Sequence, residues 1–333
     1  MNTKHINPAQ STAPTQRPKV IVTEHLNDEA ADWLAQRTDL VRCPHDQTDE
    51  LNAHLAEAHG LVVRTYTIVD DAFLSRAPNL KVVGRAGVGL DNIDLKAAQA
   101  RNVSVVYTPD ANTQAVVEYL WGLILDVVRP RPLLTRYVPP TMFHDLRKRE
   151  VGRQLDRLTL GIIGMGRIGR RIATVAEAIG MRTLYNDVLP HADLHLPNDM
   201  PSRFADIDTL LSESDIVTIH VDGRSENRRF IDSQQLAKLK RNALLLNTSR
   251  GMVIDPAALA DWAKSNATHG ATAVIDVHDP EPPPDDYPLF GLDNVHLLPH
   301  LASRTNEALA NMSWVVRDVH KVLTDQKPDH PAY

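Results

Sequence analysis

The sequence predicts an α/β protein built from two doubly wound parallel-sheet domains. Short apolar runs alternate with helical periods in two separate series, and a glycine-rich turn joins one of these runs to a helix. The 333 residues suffice for two domains, since a typical domain has about 150 residues. With 43% hydrophobic and 23% charged residues, the composition excludes a fibrous or wholly disordered chain.

The first series of alternating elements spans residues 19–107. Its predicted strands are Lys19–Glu24, a short run ending before Cys43, Leu61–Arg64, Leu80–Gly84 and Val103–Tyr107. Its predicted helices are Asn27–Arg37 (with Asn27 as the N-cap), Glu50–Ala58, Asp70–Arg76 and Asp94–Arg101. Residues 1–18 are rich in Pro, Thr, Gln and Asn and lack the apolar core of a signal peptide, so we predict a flexible tail.

The segment between the two series begins with Thr108-Pro109-Asp110, which we interpret as a hinge. A helix is predicted over Thr113–Val128. Because it is apolar on most faces, we expect it to be buried between domains or against a second subunit. The prolines at 130–140 and the charged stretch Asp145–Glu150 predict an extended arm.

The second series begins at Leu158. Its predicted strands are Leu158–Ile163, Met181–Tyr185, Ile216–His220, Ala243–Asn247, Ala273–Val277 and Val295–Leu298. Its predicted helices are Arg167–Ile179, Arg203–Leu211, Ser233–Leu239 and Pro256–Lys264. Six strands with crossover helices are typical of a nucleotide-binding sheet. A last helix, Ala302–Leu323, is predicted to return to the first domain, so that residues 111–299 form a domain inserted into a discontinuous one of residues 19–110 and 300–333.

The glycine-rich turn of the second series satisfies G-x-G-x-x-G with Gly164, Gly166 and Gly169. These glycines permit a tight turn, a close approach of the backbone to a pyrophosphate, and close packing of the helix on its strand. The next strand ends in Asp187, an acid that would accept hydrogen bonds from a ribose and repel an added 2′-phosphate. The motif therefore predicts a Rossmann-like domain that binds NAD rather than NADP.

Charge and cysteine content limit the partners and the compartment. Lys and Arg total 36 against 42 Asp and Glu, a formal net charge of −6 that disfavours a nucleic-acid partner. No apolar run reaches the roughly 18 residues of a membrane helix, so no membrane partner is expected. The single cysteine, Cys43, is read as a structural residue and indicates a reducing, cytoplasmic compartment. We predict no metal site.

Three further segments place polar residues where predicted strands end: Asn247–Gly251, Ile275–Pro282 and Leu298–His300. Together with the glycine motif and the stretch Gly84–Asp94 (GRAGVGLDNID), their order resembles the D-isomer-specific 2-hydroxyacid dehydrogenases. The resemblance implies that the NAD-binding domain is inserted into the substrate domain and that catalysis takes place in the cleft between them.

The resemblance assigns three catalytic residues whose chemistry suits a hydride transfer coupled to a proton transfer. An imidazole titrates near neutral pH, which suits His300 as the acid/base. Glu281 would hold this imidazole, and its spacing after Asp276 favours it over the nearby Asp279. Arg250 would offer paired donors to the substrate carboxylate and polarise its carbonyl.

The resemblance also implies binding residues. The cofactor set is Val88, Gly164, Gly166, Arg167, Ile168, Gly169, Asp187, His220, Val221, Thr248, Ser249, Arg250, Asp276, His300 and Ala302. Within it, Asp276 would fix the nicotinamide carboxamide. The substrate set is Arg64, Arg85, Ala86, Gly87, Val88, Arg250 and His300.

The GRAGVGLDNID stretch is similar to the phosphoglycerate dehydrogenase branch, in which Arg64 and Arg85 would face a substrate phosphate. The expected reaction is therefore the transfer of a hydride between a small D-2-hydroxy acid and NAD, and D-3-phosphoglycerate is one candidate. Two alternatives stay open: a glyoxylate or hydroxypyruvate reductase, and an NAD-sensing binding protein similar to the C-terminal-binding corepressors. We expect a homodimer that associates around the helix Thr113–Val128.

Overall fold

Two parallel sheets organise the chain, one in each of two structural units, which confirms the predicted fold class. The computed structural model describes residues 17–194, 196–197 and 200–333. The proposed tail therefore lies, up to residue 16, outside the described residues. Of the described residues, 17–109 and 309–333 form the first unit, and those within Asp110–Ala308 form the second.

The first unit has five parallel strands in the order β2-β1-β3-β4-β5. The strands are β1 (Lys19–Val22), β2 (Asp39–Arg42), β3 (Gly60–Val63), β4 (Val82–Arg85) and β5 (Ser104–Tyr107). The helices between them are α1 (Asp28–Ala35), α2 (Thr48–Leu55), α3 (Asp71–Ser75) and α4 (Leu95–Ala100). Asn27 caps α1 as predicted, because its side chain accepts a hydrogen bond from the backbone N–H of Glu29.

Apolar side chains cover both faces of this sheet, as a parallel sheet requires. Residues near the C-terminus supply part of one face, where Val315, Val316 and Val319 pack among the strands. Gly84 permits this packing, because a Cβ atom at that position would overlap a methyl group of Val319. The C-terminal segment is therefore part of the first unit's core.

The second unit has seven parallel strands in the order β12-β11-β10-β9-β6-β7-β8. The strands are β6 (Thr159–Ile163), β7 (Arg182–Asn186), β8 (Arg203–Phe204), β9 (Ile216–Ile219), β10 (Leu244–Asn247), β11 (Thr272–Ile275) and β12 (Val295–Leu297). The helices are α5 (Thr113–Val128), α6 (Pro140–Arg149), α7 (Arg167–Ile179), α8 (Ile207–Glu213), α9 (Ser233–Leu236) and α10 (Pro256–Asn266). The strand order reverses between β6 and β9, which is where doubly wound sheets bind ligands.

Three predictions in the second unit were wrong. The helix predicted from Arg203 begins only at Ile207, after the two-residue strand β8, because Asp206 caps it by accepting a hydrogen bond from the Thr209 backbone N–H. The sheet consequently has seven strands where six were predicted. The arm predicted to be extended contains α6, which has Pro140 at its first turn, where the missing N–H of proline costs nothing.

The last predicted helix, Ala302–Leu323, is also wrong, because it is two helices, α11 (Asn306–Ser313) and α12 (Val316–Leu323). At the break, the Ser313 hydroxyl donates to the Leu309 carbonyl and accepts from the Asn27 backbone N–H. Side-chain bonding of this kind competes with the helix and bends it.

The return to the first unit also differs from the prediction, since residues 300–308 belong to the second unit. Hydrogen bonds from Leu301 and Ala302 to Asp276 hold this segment there. None of the helices in the described part of the chain is long and apolar enough to cross a membrane.

Candidate active site

The glycine turn lies between β6 and α7, at the point where the strand order reverses. Gly164 has a φ of +96°, and a side chain there would overlap the His220 carbonyl. Gly169 lies against the Gly164 carbonyl, so that α7 packs closely on β6. Gly166 differs, because a Cβ atom there would meet nothing within 4 Å. The turn is tight on its protein side and open at Gly166.

This opening fits a dinucleotide pyrophosphate. Gly166 is the N-cap of α7 and provides no side-chain cap, so the first N–H groups of the helix point outward without a side-chain acceptor from this residue. Helix N–H groups and the helix dipole favour an anion at this place. Arg167 and Ile168 form the first turn, and the Arg167 guanidinium pairs with Asp110 at 3.0 Å.

Asp187 follows β7 and lies against the glycine turn. Its carboxylate accepts hydrogen bonds from the backbone N–H of Met165 at 2.6 Å and of Leu189 at 2.9 Å. The neighbouring Asn186 instead donates its side-chain amide to the Ala205 carbonyl. Of these two polar residues, Asp187 therefore holds an acceptor beside the glycine turn.

His220 and Val221 follow β9 on the other side of the glycine turn. The His220 Nε2 atom lies 2.8 Å from the Thr218 hydroxyl, and desolvation lowers the pKa of this imidazole to about 3. His220 is therefore neutral and does not act as an acid near neutral pH. Its carbonyl and the Val221 side chain are the groups that approach Gly164.

Asp276 follows β11 and is fully buried. Its carboxylate accepts hydrogen bonds from the backbone N–H of Leu301 at 2.8 Å and of Ala302 at 2.9 Å, and its carbonyl accepts from the His300 N–H at 2.8 Å. Burial raises the pKa of Asp276, although the two N–H donors oppose this. Asp276 thus fixes the turn in which His300 has an unusual φ of 57°.

His300 and Glu281 form a direct pair. The His300 Nδ1 atom lies 2.9 Å and 3.1 Å from the two Glu281 carboxylate oxygens. Burial would raise the pKa of Glu281, but the hydrogen bond from His300 and the charges of His300, His278 and Arg250 outweigh it and lower the pKa. When Nδ1–H donates to Glu281, the Nε2 atom is left for an external partner.

The competing acid, Asp279, has another partner. Its carboxylate pairs with the Arg228 guanidinium at 2.8 Å. His278 is buried and structural: its Nε2 atom lies 2.8 Å from the Leu298 carbonyl, and its ring packs edge-on against Tyr287. The loop after β11 therefore presents Glu281, and not Asp279, to His300.

Arg250 lies in the turn after β10. Asn247 shapes this turn, because its side chain donates to the Arg250 carbonyl and accepts from the Ser249 N–H and hydroxyl. The next residue, Gly251, touches the backbone of His278, and a Cβ atom there would overlap it. This contact brings the Arg250 turn to the loop of Glu281, whose pKa the Arg250 charge lowers.

The second unit thus gathers at one edge of its sheet all of its predicted site residues. Arg250, Glu281 and His300 come from the turns after β10, β11 and β12, and Thr248, Ser249 and Ala302 are buried beside them. The remaining predicted site residues belong to the first unit: Arg64 follows β3, Arg85 is the last residue of β4, and Ala86, Gly87 and Val88 follow it.

In the first unit, Arg85 folds back over its own turn. Its Nη1 atom donates to the Ala86 carbonyl at 3.1 Å, and a Cβ atom on Gly87 would overlap the guanidinium. Gly87 also has a φ of +155°. The guanidinium of Arg64 donates to the His25 carbonyl at 3.3 Å. Both arginines are half-buried.

Two residues of the site were missed from the sequence. The first is Asn247, the last residue of β10, which is fully buried; asparagine at such a position commonly bonds the backbone of the following turn. Tyr119 lies on α5, and its hydroxyl is 3.5 Å from Asp276. Burial and the Asp276 charge raise the pKa of Tyr119 to about 12. Tyr119 and Asp276 are far apart in the sequence, and only folding brings them together.

Comparison with known proteins places this geometry in context. Residues 121–302 match the family model described as "D-isomer specific 2-hydroxyacid dehydrogenase, NAD binding domain". The chain is 36% identical over 296 residues to a hydroxypyruvate reductase of Thermotoga maritima, with 88% of this chain and 94% of that protein covered. It is 35% identical over 301 residues to a D-3-phosphoglycerate dehydrogenase of Archaeoglobus fulgidus, covering 90% of this chain but only 56% of that longer protein.

Among solved structures, the TT0316 protein of Thermus thermophilus superposes with a TM-score of 0.81 at 31% identity. That match covers 95% of this chain and 100% of the other. The similarity therefore extends over both units and not only over the glycine motif.

Proposed function

The chain belongs to the D-isomer-specific 2-hydroxyacid dehydrogenase family, and from that membership we propose that it is an NAD-dependent oxidoreductase that interconverts a D-2-hydroxy acid and its 2-oxo acid. The pairing of His300 with Glu281, 2.9 Å apart and beside the Arg250 turn, is the observation that carries the proposal. This arrangement combines an imidazole that can carry a proton (His300), a carboxylate that orients the imidazole (Glu281) and a cation for an acidic substrate (Arg250).

The side chains divide the reaction between them. A bound nicotinamide supplies or accepts the hydride at the substrate carbon. His300 gives a proton to the carbonyl oxygen during reduction and takes it back during oxidation. Glu281 holds the imidazole through Nδ1, so that Nε2 faces the substrate. Arg250 offers two N–H groups to the substrate carboxylate.

The cofactor would be held by the open glycine turn, by Asp187 and by Asp276. The α7 N-terminus would bind the pyrophosphate, and Asp187 would accept hydrogen bonds from the adenosine ribose. The Asp276 carboxylate accepts two backbone hydrogen bonds, and a carboxylate offers about four acceptor positions, so it retains capacity for the nicotinamide amide.

We propose NAD rather than NADP. The Asp187 charge would repel a 2′-phosphate. A nearby cation, Arg224, is engaged by Asp222 through two contacts of 2.7 Å and 2.6 Å. Because this guanidinium already has a bidentate carboxylate partner, it is a poor candidate for binding an additional phosphate.

For the substrate, we propose a phosphorylated acid such as D-3-phosphoglycerate, with glyoxylate or hydroxypyruvate as the alternative. The proposal rests on Arg64 and Arg85, two half-buried cations at the carboxyl edge of the first sheet.

A panel of 2-oxo acids with NADH tests the reaction and the substrate together. 3-Phosphohydroxypyruvate, hydroxypyruvate, glyoxylate and pyruvate are compared by kcat/KM, each also with NADPH. We expect the highest value with the phosphorylated acid and NADH. A preference for hydroxypyruvate or glyoxylate would support the alternative. NADH binding without turnover of any acid would contradict the enzymatic proposal and favour an NAD-sensing binding protein.

We also propose a homodimer formed through α5 and the arm at residues 129–152. The arm exposes Leu133 (85%) and Tyr137 (84%), and α6 has no buried residue. Apolar side chains exposed to this extent favour association. Gly122 lies on the exposed side of α5 with nothing within 4 Å of its added Cβ. Light scattering should therefore give a dimer for the wild type and a monomer for Gly122→Arg, whereas a monomeric wild type would contradict the proposal.

A further inference from the structure

The turn after β3, residues 64–67, is held by an acid from a neighbouring strand. Glu24 follows β1, and β1 and β3 are paired in the sheet. Its carboxylate accepts hydrogen bonds from four consecutive backbone N–H groups, those of Arg64 (3.0 Å), Thr65 (2.9 Å), Tyr66 (3.1 Å) and Thr67 (3.1 Å). The Thr67 hydroxyl donates to the same carboxylate at 3.0 Å. One side chain thus fixes the backbone of a whole turn.

This arrangement depends on the negative charge of Glu24. Burial alone would raise the pKa of the carboxyl group, but the four N–H donors outweigh burial and lower it. Hydrogen bonds to an ionised acceptor are shorter and roughly twice as strong as neutral ones. A neutral amide in place of the carboxylate would point two N–H groups into a cluster of donors.

The same turn is held from its carbonyl side by Asn92. The Asn92 side-chain amide donates to the carbonyl of Arg64 at 3.0 Å and to that of Thr67 at 2.7 Å. The backbone carbonyl of Asn92 accepts from the Val69 N–H at 2.8 Å. Asn92 belongs to the turn after β4 that carries the other proposed substrate residues, and it therefore ties the two turns together.

We propose that Glu24 and Asn92 are positioning residues that preform the 64–67 turn and thereby aim Arg64 at the substrate. The inference rests on the proposed function, since it assigns Arg64 to substrate binding. Preforming the turn removes the cost of ordering a charged loop when the substrate binds. The two residues should therefore govern substrate affinity and the selectivity for a phosphorylated acid, and not the chemical step.

The test compares Glu24→Gln with Glu57→Gln, the same substitution at an exposed acid of the same unit that pairs with Lys19. For Glu24→Gln we expect KM for 3-phosphohydroxypyruvate to rise about tenfold or more, with kcat and NADH affinity close to wild type. Glu57→Gln should match the wild type. Asn92→Ala, which removes only the donor on the carbonyl side, should raise KM in the same direction.

A double-mutant cycle shows whether Glu24 acts through Arg64. In an Arg64→Ala background, Glu24→Gln should change KM by less than about twofold, because the group it positions is gone. A full additive effect would overturn the proposal. A fall in kcat, NADH affinity and unfolding midpoint together would also overturn it, since that pattern indicates only a folding role.

Backbone hydrogen exchange separates the failure of this inference from the failure of the proposed function. Glu24→Gln should lose protection over residues 64–67 and keep it in the second unit, whether or not any acid is turned over. Unchanged protection at 64–67 would show that Glu24 does not hold this turn. Lost protection with a wild-type KM would show that Glu24 holds the turn but that this has no effect on substrate binding.

Discussion

The carboxyl edges of the two sheets carry similar turns but use their backbone N–H groups in opposite ways. In the first unit, the N–H groups of residues 64–67 are taken up by Glu24. In the second unit, the N-cap of α7 is Gly166, which provides no side-chain cap. The first edge is closed by a carboxylate of the chain, and the second is open to an external anion. This difference is the basis of our proposal that the first edge presents a recognition turn and the second binds a cofactor.

The largest expected effect is at the open edge, in His300→Asn. Asparagine tolerates a positive φ, so the turn held by Asp276 should persist while the imidazole is lost. General acid–base catalysis is typically worth about 100- to 10,000-fold, and kcat should fall by a factor in this range. Stopped-flow kinetics gives kcat, and NADH fluorescence titration should give an unchanged Kd.

The contrast with the closed edge makes this prediction specific. His300→Asn should lower kcat, whereas Glu24→Gln should raise KM. Turnover near the wild-type rate in His300→Asn would remove His300 from the mechanism, and a loss of kcat in both variants would abolish the functional difference between the edges.

The second prediction converts the open edge into a closed one. Gly166→Asp places a carboxylate at the N-cap of α7, where no atom stands within 4 Å of the added Cβ. Because like charges brought together cost several kcal/mol, NADH affinity should fall about 100-fold or more while the unfolding midpoint stays the same or rises slightly. Calorimetric titration and thermal unfolding measure the two quantities.

Two matched variants show whether charge or bulk causes the loss. Gly166→Ser caps the helix without a charge and should lose less affinity than Gly166→Asp. Gly169→Ala should instead lower the unfolding midpoint, because its Cβ would overlap the Gly164 carbonyl. Wild-type NADH affinity in Gly166→Asp would contradict the placement of the pyrophosphate.

The sequence was sufficient to predict the architecture, because both sheets are buried on two faces and most strands are short apolar runs. The exposed two-residue strand β8 carries no such signal. Local signals also existed for two of the errors. Pro140 at a first helical turn predicts the start of α6, and Asp206 before Ile207 predicts the start of α8.

The remaining misses depend on contacts between distant segments. Glu24 reaches residues 64–67, forty or more positions away, and nothing near it in the sequence indicates four N–H donors. Ser313 ends α11 through a bond to Asn27, at the opposite end of the chain. The glycine motif could be recognised because its residues are close together in the sequence. Hydrogen bonds between the turns of two strands can be predicted only once the sheet order is known.

The smallest expected effect concerns stability at the closed edge. Because the folded state lowers the pKa of Glu24, its ionised form stabilises the fold above the ordinary pKa of the side chain, and this contribution is lost as the pH falls through the lower, folded-state value. At neutral pH, Glu24→Gln should reduce the free energy of unfolding by about 1–2 kcal/mol.

This difference should shrink in acid, because the wild-type carboxylate becomes protonated and then resembles the amide. Urea unfolding of both proteins between neutral pH and the acid limit of folding measures it. The exposed Glu57→Gln variant should show no comparable difference at any pH. The difference in free energy of unfolding between Glu24→Gln and the wild type could instead be independent of pH. The stabilisation would then come from side-chain shape rather than from an anion held by four N–H groups. In that case the contrast between the closed and the open edge would have no electrostatic basis.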